Sequence, residues 1–364
     1  MNSRVLVVGA GTGVGNNVLR SLQTGDPDLV LIGAHHDRFT LKKSIADRNY
    51  LIHEPTHAGL LDSLARVIER EQIDLLVPTA DRDVRWCSDR RGEVPCRLFL
   101  PSAPAVALCQ DKYELAVHLR AAGVGAPITY PIDDLASIAP TFDRFAPADL
   151  VWCRVRTGNG STGAIPVKNA AQAEAWIAYW AEMRGIPSHA FTLCEYLPGR
   201  DFGCQSLWCD GRPILSKTFE RLSYFIGGGS TPSGVSSVAA LAKTVDEPRV
   251  TEVARAAVRA ADPRATGLFG VDLKENAAGD PYVTEINVGR PLAGTNLLDL
   301  TGKHNMLVTY VRLALGEPVD MRDERDVAET CYAVRDFDTT PGIFPAEELF
   351  EGIHDARLRE GGDG

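Results

Sequence analysis

The chain has 364 residues, 45% of them apolar and 24% charged, with a net charge of −10 at pH 7. This is the composition of a globular protein with room for two or three buried cores. The acidic excess argues against nucleic acid or an anionic membrane surface as partner, since both are recognised through basic patches. No apolar run approaches the ~20 residues of a bilayer span. The N-terminal "MNSRVLVVGAG" lacks a signal-peptide cleavage pattern, and the eight cysteines show no metal-ligand spacing. A cytoplasmic protein with cysteines acting as small buried hydrophobes is expected.

Residues 1 to about 100 alternate short apolar runs with helical patterns. "RVLVVGA", "DLVLIGA" and "IDLLVPTA" read as buried strands, and "GVGNNVLRSLQ" and "HAGLLDSLARVIEREQ" as helices. Such alternation builds a parallel sheet with right-handed crossovers. "CQDKYELAVHLRAAGVGAP" follows as an amphipathic helix ended by Gly123. From about Leu150 strands come in pairs: "LVWCRVR" with "AIPVK", "DFGCQSLWCD" with "RPILSKTFE", and "GLFGVDLKE" with "PYVTEIN". The turns "CDGRP" and "NAAGDP" make two of these pairs antiparallel hairpins. The helices "AAQAEAWIAYWAEMR" and "DEPRVTEVARAAVRAA" lie between them. The fold class is therefore a doubly wound α/β domain followed by an α+β domain, with a tail after about residue 318 and a disordered terminal "REGGDG".

Three places carry candidate chemistry. "GAGTGVG" (Gly9 to Gly15) sits between the first strand and first helix, where a dinucleotide fingerprint would stand. G-x-G-x-x-G fails in both frames, at Val14 and at Asn16, so NAD(P) binding competes with a plain glycine-lined turn.

In "GLFGVDLKENAAGDPYVTEINVGRP" the strand period of two puts Asp272 and Lys274 on one face, and Glu285 and Asn287 share a face of the partner strand. With the turn centred between Ala278 and Gly279, Asp272 sits opposite Glu285. Like charges there repel by about 4 kcal/mol at ~4 Å and an effective dielectric of ~20. A hard cation held by the two carboxylates and the Asn287 amide reverses that sign. The alternative is a solvated patch in which Lys274 neutralises the pair.

Finally, "RVRTGNGSTG" (Arg154 to Gly163) interrupts an apolar strand with three glycines. It reads either as a bland loop or as a flap whose bare N–H groups approach phosphates.

In this order and spacing the motifs resemble those of the ATP-grasp carboxylate–amine ligases, relatives of the ATP domains of biotin carboxylase and carbamoyl-phosphate synthetase, over roughly residues 1 to 317. The resemblance implies a Rossmann-like pre-ATP-grasp domain (1–105), an ATP-grasp domain (106–318) with a lid subdomain at about 125–195, and a C-terminal extension (319–364). It implies that Lys112 and Arg154 reach the nucleotide phosphates and that Gly160, Ser161 and Gly163 belong to the phosphate flap. Glu195, Tyr196 and Leu197 would border adenine, Asp201 would bind ribose hydroxyls, and Asp272, Glu285 and Asn287 would hold Mg²⁺, with Mn²⁺ as an alternative. The flap thereby becomes a lid, with glycines because a Cβ would hold the backbone away from phosphate.

Two departures stand out. Arg154 replaces the usual lysine before the flap, and its alternative is a solvent-facing strand residue. Arg290 lies three residues after Asn287, where many relatives have two, and its alternative is a surface arginine. Lys217 and Arg221, beside a second glycine-rich loop, are read as closing over the acceptor side, with Arg221 alternatively a structural ion-pair partner.

The implied reaction uses ATP to activate a small-molecule carboxylate as an acyl phosphate and joins it to an amine, releasing ADP and phosphate, with Arg290 at the acyl-phosphate step. A homodimer is a candidate assembly. The absence of a biotin-carrier segment or glutaminase-like addition leads to the expectation of neither a carboxylase nor a carbamoyl-phosphate assembly. The rival readings are an NAD(P)-dependent oxidoreductase using the N-terminal sheet and a non-catalytic ATP-binding protein.

Overall fold

The structure, a computed structural model, describes residues 2–158, 160–225, 238–327, 329–336 and 342–348. The second glycine-rich loop (226–237) and the terminal "REGGDG" lie outside the described residues.

The chain is mixed α/β, with one parallel and two predominantly antiparallel sheets. The first strands are β1 (Arg4–Val8), β2 (Val30–His35), β3 (Arg48–Leu51) and β4 (Leu75–Pro78). They pair in parallel in the order β3-β2-β1-β4. β1 is apolar from Val5 to Val8 because both its faces are covered there. Val5 and Val7 pack with Leu19, Leu22 and Tyr310, whereas Leu6 and Val8 pack with Leu64 and Ile68. β3 was not evident in the sequence: its "RNYL" is largely exposed at the sheet edge and has no apolar period.

The glycine cluster after β1 has a packing explanation. Gly9 has φ +96°, and a Cβ on Gly15 would stand 2.1 Å from the Gly9 carbonyl oxygen. Thr12 caps the helix Gly13–Gly25 by accepting from the Gly15 N–H at 3.0 Å.

A second sheet contains β5 (Thr129–Pro131), β6 (Val151–Val155), β7 (Ile165–Val167) and β8 (Phe191–Glu195), in the order β5-β8-β6-β7. The helix Ala170–Arg184 covers it through Ala173 and Ile177.

The largest sheet is built on β9 (Asp201–Cys209), β10 (Arg212–Tyr224), β11 (Ala239–Thr244), β12 (Gly267–Glu275) and β13 (Pro281–Val288). The β9–β10 hairpin closes with Asp210 and Gly211 both at positive φ, as a two-residue Asp-Gly turn requires. Residues after 318 are part of this sheet rather than a tail. β14 (Glu324–Arg325) pairs with β10, β15 (Cys331–Val334) with β11, and β16 (Gly342–Pro345) with β15. One core joins the parallel sheet to the large one, since Leu207, Leu215 and Leu268 cluster with Val5, Leu19 and Met306.

Candidate active site

A cleft of about 180 Å³ has walls from β6 and β8 on one side and from β9, β10, β12 and β13 on the other. Its floor is the β12–β13 hairpin, where Asp272 faces Glu285 as the alternation predicts. The route to that register differs from the expected one. The strand ends pair Glu275 with Pro281, one residue out of step with a turn centred between Ala278 and Gly279. A bulge at Thr284 restores the Asp272–Glu285 pairing. Thr284 Oγ1 donates to the Asp272 carbonyl at 3.1 Å and fixes the bulge. Asn287 shares the carboxylate face, donating through Nδ2 to Asp272 Oδ2 at 2.9 Å.

Repulsion between the two carboxylates is offset by cations. Lys112 Nζ lies 3.4 Å from Glu285 Oε2, and Arg221 pairs with Asp272. Burial raises the Asp272 pKa against the pull of Arg221, with Glu285 adding to the rise. Burial also opposes ionisation of Glu285, but Lys112, a hydrogen bond with Asp272, and the charges of Arg154 and Arg290 outweigh it and hold its pKa low. Lys274, given above as the neutraliser of the pair, instead approaches Asp201 at 4.0 Å.

Lys112 opens the helix Lys112–Ala121, which Asp111 caps by accepting from the N–H groups of Tyr113 and Glu114 at 3.1 Å. Asp111 also receives Arg156 Nε at 2.8 Å, and the Lys112 N–H donates to the Arg156 carbonyl at 3.0 Å. This clamp fixes the helix against the end of β6 and lets Lys112 Nζ reach the Gly158 carbonyl at 2.5 Å.

Arg154 is not solvent-facing. It is 7% exposed, lines the cleft, and its Nε and Nη2 have no hydrogen-bond partner among the described residues. A buried guanidinium with unused donors is a costly arrangement in the absence of an anion. Ser161 lines the same cleft, and Gly158 and Gly160, both at positive φ, have open space where a side chain would stand. Gly163 does not line the cleft: it packs on Val155 and Phe191, and its carbonyl accepts from Trp176 Nε1 at 2.9 Å. These contacts tie the end of the flap to β6 and β8.

The β8–β9 connection supplies Glu195, Tyr196 and Leu197 to the same wall, with Trp152 beside Tyr196 at a ring separation of 6.4 Å. Asp201 receives Arg221 Nη1 at 2.8 Å and the Tyr224 hydroxyl at 2.6 Å. Tyr224 is a further site residue that its mixed sequence neighbourhood did not reveal. Arg221 bridges Asp201 and Asp272, so it serves both as an ion-pair partner and as a wall of the cleft.

A second cavity of about 120 Å³ shares Arg221, Asp272 and Glu285 with the first and adds Gly160, Asn287 and Arg290. Arg290 is 8% exposed and is not a surface residue. Its Nε pairs with Asp81, and its Nη2 donates to Asn287 Oδ1 at 2.5 Å.

Lys217 is a further residue that the structure does not bring to the site. Its ammonium, 1% exposed, lies 2.9 Å from Asp326 Oδ2 and from the carbonyls of Leu298 and Thr301. All three of its donors are used, so the acceptor-side role is corrected to a buried tie between β10 and residues 298–326. Among the described residues, no group of three or more His, Cys, Asp or Glu side chains is placed to hold a metal. The donor set at the floor is two carboxylates and one amide.

By sequence, no family model and no curated protein matches the chain. Its fold matches solved structures. An L-amino acid ligase from Bacillus licheniformis is 11% identical at a TM-score of 0.68, covering 92% of this chain and 79% of that one. A biotin carboxylase from Campylobacter jejuni, solved as a β,γ-ATP complex, is 14% identical at 0.69, covering 91% and 75%. A carboxyaminoimidazole ribonucleotide synthase from Aspergillus clavatus, complexed with ATP, is 16% identical at 0.67, covering 92% and 82%. At these identities the likeness speaks for the fold.

Proposed function

Because the chain has the ATP-grasp fold, we propose that it is an ADP-forming carbon–nitrogen ligase that activates a carboxylate and joins it to an amine. The observation that carries this reading is Arg154, a buried guanidinium with two unused donors facing the carboxylate floor across the cleft. That arrangement fits a polyphosphate, with Arg154, Lys112 and the open backbone of the flap on its oxygens. Asp272, Glu285 and Asn287 fit Mg²⁺, whose remaining positions would be filled by phosphate and water oxygens. Bound there, the ion supplies charge neutralisation of the transferring phosphoryl group. Glu195, Tyr196 and Leu197 would receive the adenine and Asp201 the ribose.

In the reaction a substrate carboxylate oxygen bonds to the γ-phosphorus as the bond to the β-phosphate oxygen breaks, and ADP leaves with the electron pair. The amine nitrogen then bonds to the acyl carbon, phosphate departs, and the amine loses its proton to solvent or to the departing phosphate. The protein contributes position and charge: Arg221 lines both cavities and Arg290 the second, so the carboxylate and γ-phosphate would meet beside them. On the same reading residues 1–105 form a Rossmann-like pre-ATP-grasp domain, and the ATP-grasp domain begins at 106 and takes in β14–β16 beyond the expected end at 318. The lid occupies about 125–195, and a soluble cytoplasmic setting and a homodimer accompany it.

The test is product analysis with carboxylates crossed against amines in the presence of Mg-ATP. Stoichiometric ADP and phosphate with a new amide is the expected result. AMP and pyrophosphate would overturn the assignment.

A further inference from the structure

Among the described residues, the second cavity has one cation without an acidic partner. Four basic residues line it, and three are matched: Arg221 by Asp201 and Asp272, Lys243 by Glu220 at 3.1 Å, and Arg290 by Asp81. The fourth, Arg335, follows β15. Its Nε donates to the Ala239 carbonyl at 2.9 Å and its Nη1 to the Ala293 carbonyl at 3.5 Å. Burial lowers its pKa, and the charge that acts on it is Arg221, of like sign. A guanidinium in that position gains from an anion placed beside it.

The wall around this cation is apolar. Phe219, Ala239, Ala242, Leu292 and Leu298 form a separate small cluster, and all five line the cavity. Its volume of about 120 Å³ is below the 300–1,000 Å³ typical of drug-sized ligand sites. A compact molecule suits that volume, and the four basic residues outnumber Asp272 and Glu285, the two carboxylates that also line the cavity, which favours an anion.

We propose that this second cavity is the subsite for the carboxylate substrate, that the substrate is a compact monocarboxylic acid with an apolar body, and that Arg335 holds its carboxylate. The inference rests on the ligase reading and names the class of acid that reading leaves open. The carboxylate lies among Arg290, Arg221 and Arg335 at the mouth shared with the nucleotide cleft. The hydrocarbon body lies on Ala242, Leu292 and Phe219. A second carboxylate or a hydroxyl facing Phe219, Ala242 and Leu292 would be desolvated against apolar side chains. An apolar pocket rejects an added hydroxyl by about a hundredfold.

The test has a binding arm and a turnover arm, each on the full chain. In the first, 3-methylbutanoate, benzoate, malonate and glycolate are titrated calorimetrically into the protein with Mg²⁺ and a non-hydrolysable ATP analogue. The second uses the same acids with Mg-ATP and hydroxylamine, which traps an acyl phosphate as a hydroxamate. The two apolar acids should exceed malonate and glycolate at least tenfold in affinity and in kcat/KM. Arg335→Gln should weaken binding of 3-methylbutanoate tenfold or more while the analogue's Kd moves less than twofold, and Arg335→Lys should recover part of the loss. Ala242→Leu, which fills the wall without touching a charge, should also weaken the acid. Preference for the polar acids, no binding of any acid, or unchanged acid affinity in Arg335→Gln would overturn the inference. Arg335-dependent binding of the apolar acids without ADP or hydroxamate would leave the subsite standing and reject the ligase reading. Hydroxamate formed best from malonate would do the reverse.

Discussion

Asp272 and Glu285 face each other across the β12–β13 ladder, and the surrounding cations divide the pair unequally. Glu285, held low in pKa against burial by Lys112, is the carboxylate that stays ionised, while burial pushes Asp272 up. Glu285→Gln removes the ionised member and leaves Lys112 without its carboxylate at 3.4 Å. The free protein should lose about 1 kcal/mol, the scale of a partly exposed pair. The increase in melting temperature caused by Mg²⁺ with an ATP analogue should largely vanish, and ADP release should fall at least a hundredfold. Calorimetry with and without Mg²⁺ checks this, and a wild-type response to Mg-nucleotide would remove Glu285 from the metal site.

Arg154 should show opposite signs in stability and in binding. Its two unpartnered nitrogens cost the free protein, so Arg154→Met should leave the melting temperature equal or higher. Charge-assisted hydrogen bonds are worth about 1.5–3 kcal/mol, so the same variant should bind an ATP analogue roughly ten- to a hundredfold more weakly. A variant with reduced stability and unchanged nucleotide affinity would make Arg154 structural.

Lys217 should behave in the converse way. Lys217→Met leaves Asp326 buried without its cation, a loss of about 3–5 kcal/mol. Lys217→Met combined with Asp326→Leu should recover much of that loss, because both buried charges are then gone. Denaturant unfolding of the two variants measures the coupling. Equal destabilisation in both would contradict the pairing.

The sequence made legible what local periodicity encodes and missed what depends on distant partners. Alternation placed Asp272, Glu285 and Asn287 on one face, even though the pairing beside the turn is one residue out of the expected register and the Thr284 bulge makes up the difference. Lys217 stands with Arg221 just before the second glycine-rich loop, and that neighbourhood alone suggested a site residue. Its partner Asp326 lies beyond the expected domain end, and no local pattern links them. Arg335 escaped for the same reason: β15 joins the large sheet through β11, a pairing between segments far apart in the chain. β3 lacked an apolar period because only one of its four side chains is even half-buried.

Asp83, in the first turn of the helix Asp81–Asp89, gives a pH signature independent of the site. Burial holds its carboxyl up at about 6 from an ordinary 3.8, with Arg82 opposing and Asp81 assisting. The folded state therefore binds this proton more tightly than the unfolded state. Its contribution to stability is fully present below about pH 4 and is lost as pH rises to about 6. The loss is on the order of 3 kcal/mol. Asp83→Asn should accordingly melt above wild type at pH 8, and the difference should close at pH 4. A constant difference at both pH values would show that Asp83 ionises normally.

Arg290 is the side chain whose replacement should separate turnover from nucleotide binding. Its guanidinium is held from two directions, with Nε on Asp81 of the N-terminal region and Nη2 on the Asn287 side-chain Oδ1. That leaves Nη1 without a partner among the described residues, in a group that lines the second cavity. During phosphoryl transfer charge spreads over the equatorial oxygens, and a planar guanidinium can span a phosphoryl and a carboxylate oxygen together. Lysine offers the charge but cannot keep both present partners and also reach a third. Arg290→Lys should therefore lower kcat by about ten- to a hundredfold, or about 1.4–2.7 kcal/mol in the barrier. Nucleotide affinity should hold, because Lys112, Arg154 and the metal carry it. Asp81→Asn keeps an acceptor for Nε and removes only the charge, so its effect on kcat should have the same direction and be smaller. Steady-state kinetics of both variants, with nucleotide binding measured separately, decides the matter. Unchanged kcat and carboxylate KM in Arg290→Lys would take this residue out of the acyl-phosphate step.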